Sequence, residues 1–192
     1  MAVSNNLKSL TLHKLIQKNK FVIFLLTLFC ISNLKAQDSS IFDIARNGTL
    51  LELKQIIKTD IDIINLINKN GYSALTLACY YGNNEVASYL IRNVKDVNSK
   101  SSYGTPLMAA TVKKNIHLVR LLLENKANPN LTDKNNSTAL HFSVIFGLED
   151  IIKLLVKYQA NPNIKDNRGN TALDYSKIIN NNNVIKLLKT KK

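Results

Sequence analysis

The feature that most constrains the fold of this chain is a short segment that recurs at a nearly fixed interval. Each copy opens with Ser or Thr and has Leu two positions later, as in residues 73–75 and 138–140. The leucines are spaced by 32, 33 and 33 residues, and a further apolar residue follows each leucine by 11. The leucines are Leu75, Leu107, Leu140 and Leu173, and the later apolar residues are Val86, Leu118, Ile151 and Val184. A period of this length predicts one supersecondary unit per repeat, stacked on its neighbours.

Each unit has the sequence pattern of two short helices. The Ser or Thr is predicted to cap the first helix, because its oxygen can accept from a backbone N–H that the helix leaves unpaired. The first helix is expected to close at Gly82 or Gly147, with Asn180 a partial substitute and Lys114 a poorer one. A second helix follows, with one apolar stripe, and an Asn/Pro turn ends it. Since neither helix is long enough to be stable alone, the prediction is an all-α array of stacked helix pairs.

These repeats resemble the ankyrin repeat family. Residues 138–141 (Thr-Ala-Leu-His) and 105–108 (Thr-Pro-Leu-Met) each match three positions of the family's T-P-L-H tetrapeptide, and residues 127–130 and 160–163 resemble its closing turn. The resemblance extends from about Ser40 to Lys189 and implies a solenoid of five helix pairs within a domain of residues 37–192. Its predicted parts are a capping repeat (40–67), three repeats (68–98, 99–130 and 131–163) and a C-terminal cap (164–192).

The N-terminal residues have the pattern of an export signal. Lys14, Lys18 and Lys20 precede an apolar run of 11 residues (21–31), and the small residue Ala36 precedes a polar stretch. A membrane-spanning helix needs about 20 apolar residues, so the run is short for one. We therefore expect residues 1–36 to be a signal peptide cleaved after Ala36. The alternative is an uncleaved interfacial or anchoring helix, and bulky Phe29 weakens a lipoprotein interpretation.

Residue types that commonly act in catalysis are sparse in residues 37–192. His141 occupies the tetrapeptide position, where the resemblance implies a local bond to the Thr hydroxyl, and His117 is expected on the surface. Cys79 is expected to be a small buried hydrophobe, and with Cys30 removed it has no partner for an internal disulfide. No ligand set of metal-binding spacing and no Gly-rich phosphate loop is present in the sequence. We therefore expect a protein that is not an enzyme and needs no cofactor or metal.

The resemblance also implies where a partner binds. In ankyrin repeats the residues before the Gly of the first helix face a concave groove, and the turns before each Thr project as fingers. The implied groove residues are Tyr80, Tyr81, Val112, Lys113, Ile145, Phe146, Ile178 and Ile179. The implied finger residues are Lys69, Asn70, Tyr72, Ser102, Lys134, Asn135, Asn167 and Arg168. From these two sets the predicted partner-binding residues are Tyr72, Tyr80, Tyr81, Val112, Lys113, Ile145, Phe146 and Arg168. The alternative is that these side chains pack between neighbouring helices.

The charge leaves a second class of partner open. The formal net charge is +13, and removing the five lysines of residues 1–36 from the 26 basic residues leaves 21 against 13 acids, or +8. A basic surface can bind a polyanion or an anionic envelope component. However, the lysines are scattered, and the Lys/Asn/Ile richness is attributed to genome composition. The expectation is therefore a monomer that binds an unidentified protein in the periplasm or outside the cell, with no nucleic acid and only transient membrane contact through the signal peptide. An exported effector or neutralising protein is a further alternative.

Overall fold

The computed structural model describes residues 40–189, which all belong to one compact unit. They form ten α-helices in five pairs, together with one short 3-10 helix at Ile61–Asn65. The first helices of the pairs are α1 (Ile41–Asn47), α3 (Ala74–Tyr81), α5 (Pro106–Val112), α7 (Ala139–Ile145) and α9 (Ala172–Ile178). The second helices are α2 (Leu50–Ile56), α4 (Asn84–Asn93), α6 (Ile116–Glu124), α8 (Glu149–Lys157) and α10 (Asn182–Lys189). The predicted all-α solenoid of five helix pairs is confirmed.

The recurring Ser or Thr begins each first helix as predicted. In α3 and α9 the hydroxyl oxygens of Ser73 and Thr171 each accept from the backbone N–H three residues later, at 3.1 Å. Thr105 and Thr138 cap α5 and α7 in the same way. In this position the hydroxyl satisfies one of the N–H groups that a helix start leaves unpaired.

Residues in the left-handed conformation follow four of the five first helices, α3, α5, α7 and α9. Gly82 and Gly147 have φ of 75° and 64°, as expected for glycine at this position. Lys114 and Asn180 have almost the same φ, 57° and 56°. The poor fit expected of Lys114 therefore does not change the backbone, because the stacked neighbours fix the turn and outweigh a cost of about 1–2 kcal/mol for a side chain there.

The helices pack in two layers. Each first helix contacts the next first helix, in the order α1, α3, α5, α7 and α9, and each second helix contacts the next second helix. The periodic leucines Leu75, Leu107 and Leu140 are buried between the layers, as are Leu90, Leu122 and Leu155 of the second helices. Leu173 is only half-buried, because it belongs to the last pair. The apolar stripes of successive pairs thus form one continuous core.

Three of the turns before the first helices are each held by one Asn or Asp side chain. The carboxylate Oδ1 of Asp133 accepts from the backbone N–H groups of Asn135 and Ser137 at 2.8 and 2.9 Å. Asn68 and Asp166 make the equivalent pair of bonds in their own turns. These Asx-type bonds give the turns an internal hydrogen-bond network, so they are ordered without a ligand.

A second set of asparagines links one repeat to the next at the opposite turns. The Oδ1 atoms of Asn65, Asn98 and Asn130 accept from backbone N–H groups of the following repeat, at 2.8, 2.7 and 2.6 Å. The donors are Lys95, Asn128 and Asn161. We call Asn65, Asn98 and Asn130 the asparagine ladder. These three asparagines therefore have a structural role, so genome composition alone does not explain why Asn is abundant in this chain.

The predicted signal peptide, residues 1–36, lies outside the described residues. Among the helices that the structure describes, none is long and apolar enough to cross a membrane.

The asparagine ladder predicts a position-dependent loss of stability. Asn130→Ala removes the bond to Asn161 and the 3.1 Å bond from Nδ2 to the carbonyl of Gln159. We expect the free energy of unfolding to fall by about 1–2 kcal/mol in urea denaturation. Asn163→Ala is the matched control, because Asn163 has the equivalent position in the next repeat and its side chain makes no hydrogen bond among the described residues. The control should change stability by less than about 0.5 kcal/mol. Equal losses in both variants would contradict the ladder.

Candidate partner-binding face

The carboxyl-terminal ends of the first helices expose apolar side chains at equivalent places in successive repeats. Tyr80 and Tyr81 at the end of α3, Ile145 and Phe146 at the end of α7, and Ile178 and Ile179 at the end of α9 are 43–69% exposed. Between them in sequence, Val112 is half-buried and Lys113 is exposed. We call these eight residues the first-helix strip. Packing between neighbouring helices therefore leaves seven of these eight side chains exposed to solvent.

Side chains of two turns and of the first helices α1, α3, α5 and α7 line a pocket of about 420 Å³, which overlaps the strip at Tyr80, Tyr81 and Val112. We call it the tyrosine pocket, because Tyr72, Tyr80, Tyr81 and Tyr103 line it. Buried Leu77 of α3 and Met108 of α5 also line it, together with Val112, Phe142 and Arg46. The volume lies within the range of about 300–1,000 Å³ typical of ligand pockets.

The tyrosines pack on one another in two pairs. The rings of Tyr72 and Tyr103 stack, with centroids 5.7 Å apart and planes at 19°. Tyr80 and Tyr81 meet edge to face, with centroids 5.5 Å apart. Partial burial, together with the nearby hydroxyl groups of the other three tyrosines, raises the pKa of Tyr72 above its ordinary value. The phenol of Tyr72 therefore stays protonated near neutral pH and is available as a hydrogen-bond donor.

Two lysines lie over these rings. The ammonium Nζ of Lys113 is 5.1 Å from the centroid of Tyr80, and that of Lys134 is 4.7 Å from the centroid of Tyr103. Both distances are within the range of a cation–π interaction. The lysines thus place positive charge at the rim of the tyrosine pocket.

The structure brings together some of the predicted site residues and separates others. Tyr72, Tyr80, Tyr81 and Val112 all line the tyrosine pocket, and Lys113 lies beside it. Ile145 and Phe146 belong to the strip but do not line the pocket. Arg168 also lies away from the pocket, exposed in the turn before α9, where its backbone N–H bonds to Asp166.

Eight of the described residues that line the pocket were not among the groove and finger residues implied by the resemblance: Arg46, Thr76, Leu77, Tyr103, Thr105, Met108, Ala109 and Phe142. Tyr103 had a signal in the sequence. The interval from Leu75 to Leu107 is 32 residues instead of 33, and the missing residue shortens the turn that contains Tyr103. In the shorter turn Tyr103 takes the place before the glycine, and its ring stacks on Tyr72 of the neighbouring turn.

His141 has a structural role, as the resemblance implies. Its Nδ1 accepts from the backbone N–H of Thr138 at 3.1 Å and lies 2.9 Å from the Thr138 hydroxyl. This arrangement leaves the proton on Nε2, which lies 3.3 Å from the carbonyl oxygen of Asn170 in the next repeat. Burial lowers the pKa of His141, opposed by its bond to Asn170 and by nearby Asp166. A neutral ring that bridges two repeats has no free nitrogen for proton transfer.

Cys79 is fully buried, and burial raises the pKa of its thiol, so it lacks the accessible thiolate that a nucleophile needs. His117 is exposed on α6, as expected. Within residues 40–189 no group of three or more His, Cys, Asp or Glu side chains is arranged to hold a metal ion. What this face offers chemically is therefore apolar contact, phenol hydroxyls and lysine charge.

The stacked helix pairs and their capped turns define a repeat protein of the solenoid class. A family model described as ankyrin repeats (3 copies) matches residues 12–133 and 108–192. The chain belongs to the ankyrin repeat family.

Three relatives agree with this assignment. An ankyrin repeat-containing protein of Treponema pallidum (strain Nichols) is 36% identical over 93 residues, which cover 48% of this chain and 31% of the relative. The ankyrin repeat protein YahD of Escherichia coli (strain K12) is 34% identical over 112 residues, 55% of each chain. The ankyrin repeat and SAM domain-containing protein 6 of Rattus norvegicus is 33% identical over 112 residues, 57% of this chain and 12% of the relative. The chain thus spans at most about half the length of these relatives.

Proposed function

We propose that this chain is a non-catalytic module that binds one partner protein through the first-helix strip and the neighbouring turns, outside the cytoplasm. The family supports the general part of this proposal, since ankyrin repeats are protein–protein interaction modules. The specific surface and the location are inferred from the chain's own residues.

The observation that carries the proposal is the repeated exposure of large apolar side chains on one face. The pairs Tyr80/Tyr81, Ile145/Phe146 and Ile178/Ile179 occupy the same place in three repeats, and all six side chains are exposed. Soluble proteins rarely leave such side chains together in water unless a partner covers them. Tyrosine is also among the residues most enriched where binding energy concentrates in interfaces.

The surrounding structure makes this surface rigid before binding. Side-chain bonds hold the turns at Asn68, Asp133 and Asp166, and the asparagine ladder joins one repeat to the next. A preformed surface loses less conformational entropy on association than a flexible one. Affinity then comes from the apolar strip, and selectivity comes from the polar turns.

Action outside the cytoplasm is supported by the N-terminal sequence. The lysines before residues 21–31, the apolar run itself and the small residue Ala36 fit a cleaved export signal. Cys79 is the one cysteine after Ala36, so the domain folds without an internal disulfide in either compartment.

A polyanion remains the second candidate, because the net charge of residues 37–192 is positive. Of the C-terminal lysines, Lys186 and Lys189 lie on α10. Polyanion binding depends steeply on salt and should be insensitive to loss of apolar side chains from the strip. The strip variant described next therefore distinguishes the two candidates: binding of a protein partner should be lost, and binding of a polyanion should be unchanged.

The proposed surface can be tested at the first-helix strip. A partner is isolated with the full chain and its affinity is then measured for Tyr81→Ala/Phe146→Ala. We expect at least a tenfold loss of affinity, since each truncated anchor costs about 1 kcal/mol or more. Both side chains are about half exposed, so thermal unfolding should stay close to that of the wild type.

The matched control is Leu51→Ala/Ile61→Ala, which truncates two other exposed apolar side chains that are not part of the strip. Partner affinity should be unchanged in this control. Unchanged affinity in the strip variant, with the fold intact, would refute the proposed surface. Loss of binding in moderate salt but not in the strip variant would instead favour the polyanion.

The proposed location gives a separate prediction about export. The chain expressed with its own N-terminus should be recovered outside the cytoplasm with Gln37 as its first residue, as read by intact mass. A variant that lacks residues 1–36 should stay in the cytoplasm. Recovery of an exported chain that still contains Met1 or residues 21–31 would contradict cleavage.

A further inference from the structure

The tyrosine pocket has the size and lining for a single large side chain. Leu77 and Met108 are among its buried apolar lining residues, while Tyr72, Tyr80, Tyr81 and Tyr103 provide rings and hydroxyls. A ligand side chain with an apolar body would lose water against this lining and gain dispersion contacts.

The charge at the pocket is one-sided. No Asp or Glu is among the residues of the described chain that line it. Arg46 lines the pocket but is paired with Asp43, its Nη1 lying 2.8 Å from Oδ1. Lys113 and Lys134 lie over pocket tyrosines, and neither has a carboxylate ion-pair partner among residues 40–189. Two cations at the rim are thus left without a neutralising group.

This arrangement disfavours two other occupants. Tyrosine clusters attract cations, but here Lys113 and Lys134 already lie over two of the rings and would repel a cationic ligand. Single-stranded nucleic acid needs free ring faces on which successive bases stack. Tyr72 and Tyr103 stack on each other instead, and Lys134 lies over the ring of Tyr103.

We propose that the tyrosine pocket receives one aromatic or large aliphatic side chain from an acidic segment of the partner protein, and that Lys113 and Lys134 bind the carboxylates beside it. The inference rests on the proposed function and adds the chemistry of the partner to it. The apolar side chain provides burial, and the flanking acids fix which segments are accepted.

The chain offers a direct reporter for this test. Its two methionines are Met1 and Met108, and Met108 lines the pocket. Chain labelled with carbon-13 in the methionine methyl groups therefore gives a signal at the pocket, and Met1 is the one other source of a methionine signal where it is retained. The probes are four capped nine-residue peptides and a thymidine oligonucleotide of equal length. One peptide has a central Phe among Asp and Glu residues, one replaces Phe by Ala, one replaces the acids by Asn and Gln, and one replaces them by Lys.

We expect the acidic Phe peptide to shift the Met108 signal saturably. At low ionic strength the neutral Phe peptide and the acidic Ala peptide should each bind at least about fivefold more weakly, and the Lys peptide should bind least. The advantage of the acidic over the neutral Phe peptide should shrink near 1 M salt, where the Debye length falls to about 3 Å.

Two variants assign the effect to residues. Lys113→Gln/Lys134→Gln should weaken the acidic Phe peptide by about fivefold and leave the neutral one unchanged. Lys157→Gln is the matched control, because its Nζ also lies over a tyrosine ring, 5.9 Å from the centroid of Tyr158, but Tyr158 does not line the pocket. Tyr103→Ser removes an exposed wall of the pocket and should weaken binding of the acidic and the neutral Phe peptide about tenfold without unfolding the chain.

The inference is overturned if no peptide shifts Met108 up to about 1 mM. It is equally overturned if the neutral or Lys peptide binds as tightly as the acidic one at low salt, or if the oligonucleotide binds more tightly than all four. These peptides report on the pocket alone, whereas the Tyr81→Ala/Phe146→Ala experiment uses the isolated partner. If no peptide shifts the Met108 signal but Tyr81→Ala/Phe146→Ala still loses partner binding, this inference is wrong and the proposed function is supported. Unchanged partner binding in that variant would end the proposed function itself.

Discussion

Burial of apolar side chains between neighbouring helix pairs is the interaction on which the rest of this structure depends. The helices have 7 to 10 residues, too few for an isolated helix to be stable in water. Leu122 of α6 and Leu140 of α7 are completely buried, and each helix contacts its counterparts in the adjacent pairs. A pair is therefore stable only within the stack, and the stack fixes where every exposed side chain points.

Polar groups give that stack its register. His141 bridges to the next repeat through Asn170, and the asparagine ladder bonds successive turns. Among the described residues no buried side-chain nitrogen or oxygen lacks a hydrogen-bond partner. The turns are ordered by their own hydrogen bonds, so the surface around the first-helix strip does not have to become ordered when a partner binds. An array of this kind can vary its exposed residues freely, which is why the family shows the class of function but not the partner.

The repeats and the helix caps could be predicted from the sequence, because each follows from local chemistry at a fixed spacing. The positions of the first-helix strip were implied by the resemblance to the ankyrin family. The repeat spacing placed Lys114 at the position that closes the first helix, but its residue type gave no reason to expect the left-handed conformation, since that constraint comes from packing in three dimensions. Tyr103 was missed for a related reason: the shortened turn brings it onto Tyr72, a contact between two repeats that periodicity alone does not reveal. Arg168 was predicted to bind a partner from its place in a finger turn, and it does not line the tyrosine pocket.

The stacking account is tested most directly by cooperative unfolding of Leu122→Ala, which opens a cavity in the middle of the second-helix layer. The fully buried side chain should cost about 2–5 kcal/mol, and the helical signal of the whole domain should be lost in one transition at lower denaturant. A loss confined to one helix pair, with the other pairs unfolding as in the wild type, would contradict a continuous core.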